Sequence, residues 1–129
     1  MKSSSVNMAQ GGVSASEIFG RFETMKEYVS IYVPSTVQVD RPINNELFVN
    51  AVQHEMSKIF GGSSTMEVNG TYLAKNGELV AERVTMVKSF AKEITAEMAS
   101  QIIALAQYLK QAMGQESVAV EYNGQMVFV

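Results

Sequence analysis

Glu27-Tyr28-Val29-Ser30-Ile31-Tyr32-Val33 alternates β-branched residues with aromatics and is closed by Pro34. Alternation of this kind predicts a strand with one face buried, here Val29, Ile31 and Val33, while Tyr28, Ser30 and Tyr32 point the other way. Downstream, Asp40-Arg41-Pro42 reads as a turn, and Asn44 or Asn45 is placed to cap a helix. Phe48, Val52, Met56, Ile59 and Phe60 then recur at helical spacing, and Gly61-Gly62 supplies the left-handed conformation that stops a helix.

Met66, Val68, Gly70 and Tyr72 alternate with Glu67, Asn69, Thr71 and Leu73, which predicts a second strand with the first set inward. Asn76-Gly77 is a hairpin signal of type I′, and a third strand through Val80, Val84 and Met86 to about Phe90 follows it. A second helix runs from Thr95 to about Met113, with Met98, Ile102, Leu105, Leu109 and Met113 as its buried face and Gly114 as its stop. Val118, Val120 and Tyr122 make a fourth strand, and Asn123-Gly124 turns the chain into a fifth, Met126-Val127-Phe128-Val129. The order is that of an α+β, ferredoxin-like split βαβ fold (βαββαβ) with an extra C-terminal strand. Right-handed crossovers put its two helices on one face of an antiparallel sheet. The expected neighbours are the fourth strand beside the first, then the third and second, with the C-terminal strand beyond the fourth.

The 129 residues suffice for one domain, taken as 25–129 after a flexible leader, 1–24. Within that leader Ser14-Ala15-Ser16-Glu17-Ile18-Phe19 suggests a short capped helix from about Ser16 to Thr24, with Ile18, Phe19 and Phe22 on one side. It is either an extension ahead of Met25 or an arm that docks on the body or a neighbouring subunit. A hydrophobic fraction of 47% with 18% charged residues fits a globular chain. Thirteen acids against ten bases argue against nucleic-acid polymers, which need clustered cations. No cysteine is present, so disulfides and thiol chemistry are excluded. No apolar run marks a secretory leader or a membrane span, and the expected compartment is the cytoplasm, with no membrane partner.

The sheet face away from the helices is expected to carry Tyr28, Ser30 and Tyr32 with Arg83, Thr85 and Val87, the outward residues of the second strand, and Ala119 and Glu121. Its mixed aromatic, hydroxyl and single-charge character suits contact with something. A second copy of the chain is one candidate, so a homo-oligomer through the open face is expected. A small nucleotide-like ligand is another: Tyr28 and Tyr32 would stack its ring, Arg83 would pair with a phosphate and Thr85 or Asn69 would hydrogen-bond it. Gly62, Ser63, Ser64 and Thr65 could present N–H and O–H groups to an anion, although a helix stop explains both neighbouring glycines as well. No catalytic residue, metal site or cofactor is expected. His54, the single histidine, falls off the apolar stripe and should be exposed. Glu82 would point inward in this register and would be a base if an active site exists.

Phe60-Gly61-Gly62-Ser63-Ser64-Thr65, Asn69-Gly70-Thr71-Tyr72, Glu82-Arg83-Val84 and the stretch from Gln115 to Gly124 together resemble a group of small uncharacterised ferredoxin-like proteins of bacteria and their phages. The similarity spans about Tyr28 to Val129 and carries no assigned catalytic residue. It implies an accessory protein that binds and neutralises a host signal or protein. The expectation is a non-catalytic, homo-oligomeric protein that sequesters a small, nucleotide-type ligand. The alternatives are a small enzyme with an active site at a dimer interface, using Glu82 or His54 as base, and a module that grips a host factor.

Overall fold

The computed structural model describes residues 12–38 and 41–129. The elements in chain order are α1 (Ala15–Phe19), β1 (Glu27–Pro34), β2 (Thr36–Val37), β3 (Arg41–Pro42), α2 (Glu46–Phe60), β4 (Ser64–Leu73), β5 (Leu79–Ala91), α3 (Ala96–Ala112), β6 (Ala119–Tyr122) and β7 (Gln125–Phe128). Five strands form one antiparallel sheet in the order β4-β5-β1-β6-β7, and β2 and β3 pair separately. This is the expected ferredoxin-like arrangement. The leader's first residues and Asp40 lie outside the described residues, whereas Arg41 and Pro42 pair with Val37 and Thr36.

β1 is the central strand. Val29, Ile31 and Val33 point under the helices and are nearly sealed from water. They join Val52 and Met56 from α2, Ile102, Ala106, Leu109 and Met113 from the α3 region, and Val87, Val118 and Val120. Burial of such side chains contributes about 1.5–3 kcal/mol each relative to exposure. Thr95 caps α3 by accepting from the Met98 N–H at 3.2 Å, and Asn44 rather than Asn45 accepts from the first turn of α2, at the Glu46 N–H. Gly61 stops α2 at φ 93°. Gly114, at φ 61°, packs so closely on Gln38 that a Cβ there would lie 3.3 Å from its backbone.

The helix in the leader is shorter than expected. It ends at Phe19, and Ser14 and Glu17 complete a capping box at its start. Phe19 and Phe22 stay exposed, and a Glu23–Lys92 ion pair of 2.7 Å links the segment to the body. The Asn76-Gly77 hairpin also differs. Only Gly77 has positive φ, and the Ala74 N–H bonds to the Glu78 carbonyl, so a three-residue loop with a left-handed glycine replaces the type I′ turn. At Asn123-Gly124 both residues have positive φ, as type I′ requires.

The expected facing of β4 and β5 is reversed. Val33 pairs with Thr85, Ile31 with Val87 and Val29 with Ser89, so these three β5 residues face the helices. Across the next ladder Thr65, Glu67 and Asn69 share that side, and Met66, Val68 and Tyr72 take the other. Val84, Met86, Val87 and Ala91 put apolar residues on both parities of β5, so alternation alone does not select a face. The inward hydroxyls are tolerated because they are bonded: Thr85 Oγ1 accepts from Asn45 Nδ2 at 3.2 Å, and Ser89 Oγ donates to the Gly62 carbonyl at 2.6 Å. Glu82 therefore points away from the core and is exposed.

On the open face the phenols of Tyr28 and Tyr32 donate to the two oxygens of Glu121, each at 2.9 Å. The hydrogen bond to Glu121 is the main cause that holds the Tyr28 phenol above its usual pKa; for Tyr32, burial leads and the same carboxylate adds to it. A raised folded-state pKa means stability that is complete below about pH 10, the unfolded tyrosine value, and is lost as pH climbs through the folded values.

Two outcomes are expected from this architecture. Ile31→Ala should cost about 2–5 kcal/mol in urea denaturation, whereas Leu47→Ala, at a side chain 81% exposed, should stay within about 0.5 kcal/mol. As pH rises above about 10 the wild type should lose stability more steeply than a Tyr28→Phe/Tyr32→Phe double variant, measured by denaturation at each pH. Parallel curves would show that the phenols do not couple to folding.

Candidate functional site

The reversed facing of β4 and β5 builds a polar cleft where α2 begins. Thr65 and Glu67 from β4 and Arg83 and Thr85 from β5 stand as neighbours on the helix side of the sheet. The start of α2 brings Asn44 and Asn45 over them. Two adjoining hollows of about 410 and 240 Å³ share Asn44, Asn45, Glu67 and Thr85 as walls; the smaller adds Ser35 and Arg83. The combined space is in the range of small-molecule sites.

The charges in the cleft are opposed and close. Arg83 Nη1 lies 3.2 Å from Glu67 Oε1, with both side chains about two-thirds exposed. An ion pair so exposed adds little stability, so both groups are free to exchange partners at small cost. Beneath them Asn45 Nδ2 donates to the Pro34 carbonyl at 3.0 Å and to Thr85 Oγ1. The Ser35 hydroxyl donates to the Arg83 carbonyl, which ties the end of β1 to β5. A carboxylate, a guanidinium, two amides and hydroxyls thus line one concavity. Such a set suits a zwitterionic or polyhydroxylated molecule better than a purely apolar one.

The residues expected to form one ligand site are divided among three places. Arg83 and Thr85 are in the cleft, not beside the tyrosines. Tyr28 and Tyr32 lie on the opposite face of the sheet, and their hydroxyls are committed to Glu121. The segment Gly62, Ser63, Ser64 and Thr65 joins α2 to β4, and much of its polarity is used within the chain. Gly62 accepts from Ser89, Ser63 Oγ accepts from Ser57 Oγ at 3.4 Å, and Thr65 Oγ1 accepts from Gln53 Nε2 at 2.7 Å. Thr65 also reaches the wall of the cleft. His54 is exposed, as expected, with Nδ1 3.4 Å from Glu55. An apolar hollow of about 360 Å³ between α3 and the β6–β7 edge, lined by residues such as Ile94, Ile102, Val120 and Val127, has no charged wall.

Sequence reasoning missed Glu67, Asn44, Asn45 and Ser35 as site residues. Asn44 and Asn45 are legible in the sequence only as caps, and alternation assigns Glu67 to the open face with Asn69, Thr71 and Leu73. The signal that would have found them is the hydroxyl pair Thr85 and Ser89 at one parity with Val87, since a strand that buries Val87 must bring Arg83 and Thr85 to the helix side.

No protein-family model matches the sequence, and no curated protein does. Among solved structures, a phage SAM lyase in complex with S-methyl-5'-thioadenosine is similar to this chain, with a TM-score of 0.61 and 22% identity. The match covers 84% of this chain and 92% of that one. The apo state of a phage SAM lyase gives a TM-score of 0.61 at 20% identity over 84% of this chain and 94% of the other. The shared feature is the fold, and these neighbours are phage proteins, in keeping with the weak resemblance carried by the sequence. The finding overturns the expectation of a non-catalytic sequestering protein, because the neighbours are named as an enzyme, one of them with a ligand bound. The small-enzyme alternative fits these neighbours better; its two candidate bases, Glu82 and His54, are both exposed and line neither hollow of the cleft.

Proposed function

We propose that this chain is a small lyase that cleaves S-adenosylmethionine and releases S-methyl-5'-thioadenosine, with the cleft between α2 and the β4–β5 ladder as its active site. The observation that carries the reading is the opposed pair Glu67 and Arg83 set among amides and hydroxyls, in a fold shared over most of its length with a phage SAM lyase. The substrate's amino-acid end is itself a zwitterion. Its carboxylate takes the fork of Arg83 and its ammonium takes Glu67, so each charge of the ion pair exchanges one partner for another and none is left bare. Asn44, Asn45, Thr65 and Thr85 supply donors and acceptors for the remaining hydroxyl and nitrogen groups.

The bond that breaks joins the sulfonium to the carbon chain of the amino acid. The bonding electron pair stays on sulfur, which becomes a neutral thioether. A lyase adds no water across the broken bond, so the carbon fragment completes its valence either by releasing a proton from the neighbouring carbon to water at the exposed rim of the cleft, the C–H electron pair forming a double bond, or by closing its own carboxylate onto the carbon that sulfur leaves. A positively charged leaving group makes the protein's task mainly positioning, since little has to be activated. Arg83 and Glu67 are assigned to that positioning.

Incubation of the purified protein with S-adenosylmethionine should yield S-methyl-5'-thioadenosine by liquid chromatography, and the accompanying four-carbon product separates proton loss from ring closure. Glu67→Gln and Arg83→Ala should each lower kcat/KM roughly ten- to a hundredfold, the scale of a lost charged hydrogen bond, with unchanged circular dichroism. Intact substrate after prolonged incubation, together with no rise in Tm on adding it, would remove this function from the chain.

A further inference from the structure

The helix layer stops short of the C-terminal edge of the sheet. Tyr122 pairs with Val29 and Val127 with Val120, so both point to the helix side. They are nevertheless 38% and 39% exposed, where Val29 and Val120 are sealed. The gap is the apolar hollow of about 360 Å³, closed on its other flank by Ile94 and by Ala96 and Ala99 of α3. The two alanines are too short to reach the hairpin, so apolar walls on both sides stay open to water and forgo the gain of burial.

Aromatic side chains without cover lie close by in the chain. Phe19 and Phe22 are 73% and 70% exposed. Beyond α1 the Arg21 N–H bonds to the Ile18 carbonyl at 3.2 Å and the Phe22 N–H to the Phe19 carbonyl at 3.1 Å, which continues the turn and sets the two rings three residues apart on one side of it. A helix as short as α1 does not hold in water by its own hydrogen bonds. With its capping box and its paired rings, the segment has the form of an element made to lie on an apolar surface.

Two contacts fix this leader at the rim of the hollow. Glu23 pairs with Lys92, and Glu27 Oε1 accepts from the Ile94 N–H. Lys92 and Ile94 both belong to the short loop between β5 and α3, and Ile94 is itself a wall of the hollow. Phe22 therefore stands one residue from an anchor that is two residues from that wall, a span of chain of at most about 3.3–3.6 Å per residue. Residues 23–26 carry no regular structure and supply the dihedral freedom for the turn to swing. The Glu23–Lys92 pair is two-thirds exposed on both sides, so it places the leader without locking it.

We propose that the leader is a strap that closes on this hollow within its own chain, seating the Phe22 ring against Ala99 and Val127 with Phe19 across the mouth. The hollow has no charged wall and the rings bring no polar atom, so closure strands no buried hydrogen-bonding group on the strap's side. It covers the helix side of the β6–β7 hairpin, which α3 leaves bare, and the Glu23–Lys92 pair stays at the rim as the pivot. The strap depends on the fold alone and not on the reaction assigned to the cleft.

The chain has no tryptophan and no cysteine, so introduced ones report without background. The indole of Phe22→Trp should emit to the blue of the same variant unfolded in urea and be shielded from acrylamide quenching. Adding Ala99→Arg, an exposed position on the wall of the hollow, should return that indole to water with unchanged circular dichroism. A short bismaleimide should bridge Phe22→Cys to Ala99→Cys within one chain, leaving a band at 14.1 kDa on a denaturing gel. An indole as quenchable as in urea overturns the strap, and an emission indifferent to Ala99→Arg overturns the hollow as its seat. A bridge that joins two chains, or no bridge, overturns closure within the chain.

Discussion

The structure depends on the burial of one side of β1. Val29, Ile31 and Val33 sit at the centre of the sheet, paired to β5 on one flank and to β6 on the other, and both long helices lay their apolar stripes over them. Because Ile31 is locked against Val87 and Val120, the facing of three strands is set at once. A slip of one residue would drive Tyr28 and Tyr32 under the helices and expose the aliphatic core, so the register has a steep penalty against it.

That constraint has a consequence for polar residues. With Val87 buried, Thr85 and Ser89 must be buried too, and each is admitted by a hydrogen bond from or to a segment adjoining α2. The bond from Asn45 to Thr85 binds the start of α2 to β5, and it brings Glu67 and Arg83 under the helix N-terminal end. The cleft is thus a by-product of satisfying one buried hydroxyl. Its charges remain at the rim, where solvent keeps their pairing weak and exchangeable, as the proposed zwitterion site requires.

The two faces of the sheet have separate work. The helix side closes a core and leaves a polar cleft at one end, whereas the other carries tyrosines, methionines and a balanced pair of charges. The Tyr28 and Tyr32 phenols donate to Glu121, and Lys88 is held over Tyr28 and Phe90. Four side chains that local pattern suggested as one ligand site are split by the sheet itself. A strand separates its neighbours to opposite faces, so residues adjacent in sequence are often the ones that cannot cooperate.

Local pattern was enough for the order of elements, the strand neighbours, the helix stops at Gly61 and Gly114, and the inward side of β1. Each of these rests on a signal carried by a few contiguous residues: alternation, helical spacing or positive φ. Facing in β4 and β5 was not legible, because Val84 and Met86 compete with Val87 and Ala91 for the core and their local preferences are nearly equal. The choice falls to long-range pairing with Ile31 and to the satisfaction of Thr85 by Asn45, forty residues earlier in the chain. Only the assembled sheet, with α2 laid across it, decides which polar residues meet, since burial and hydrogen bonding there are properties of several segments together and of none alone.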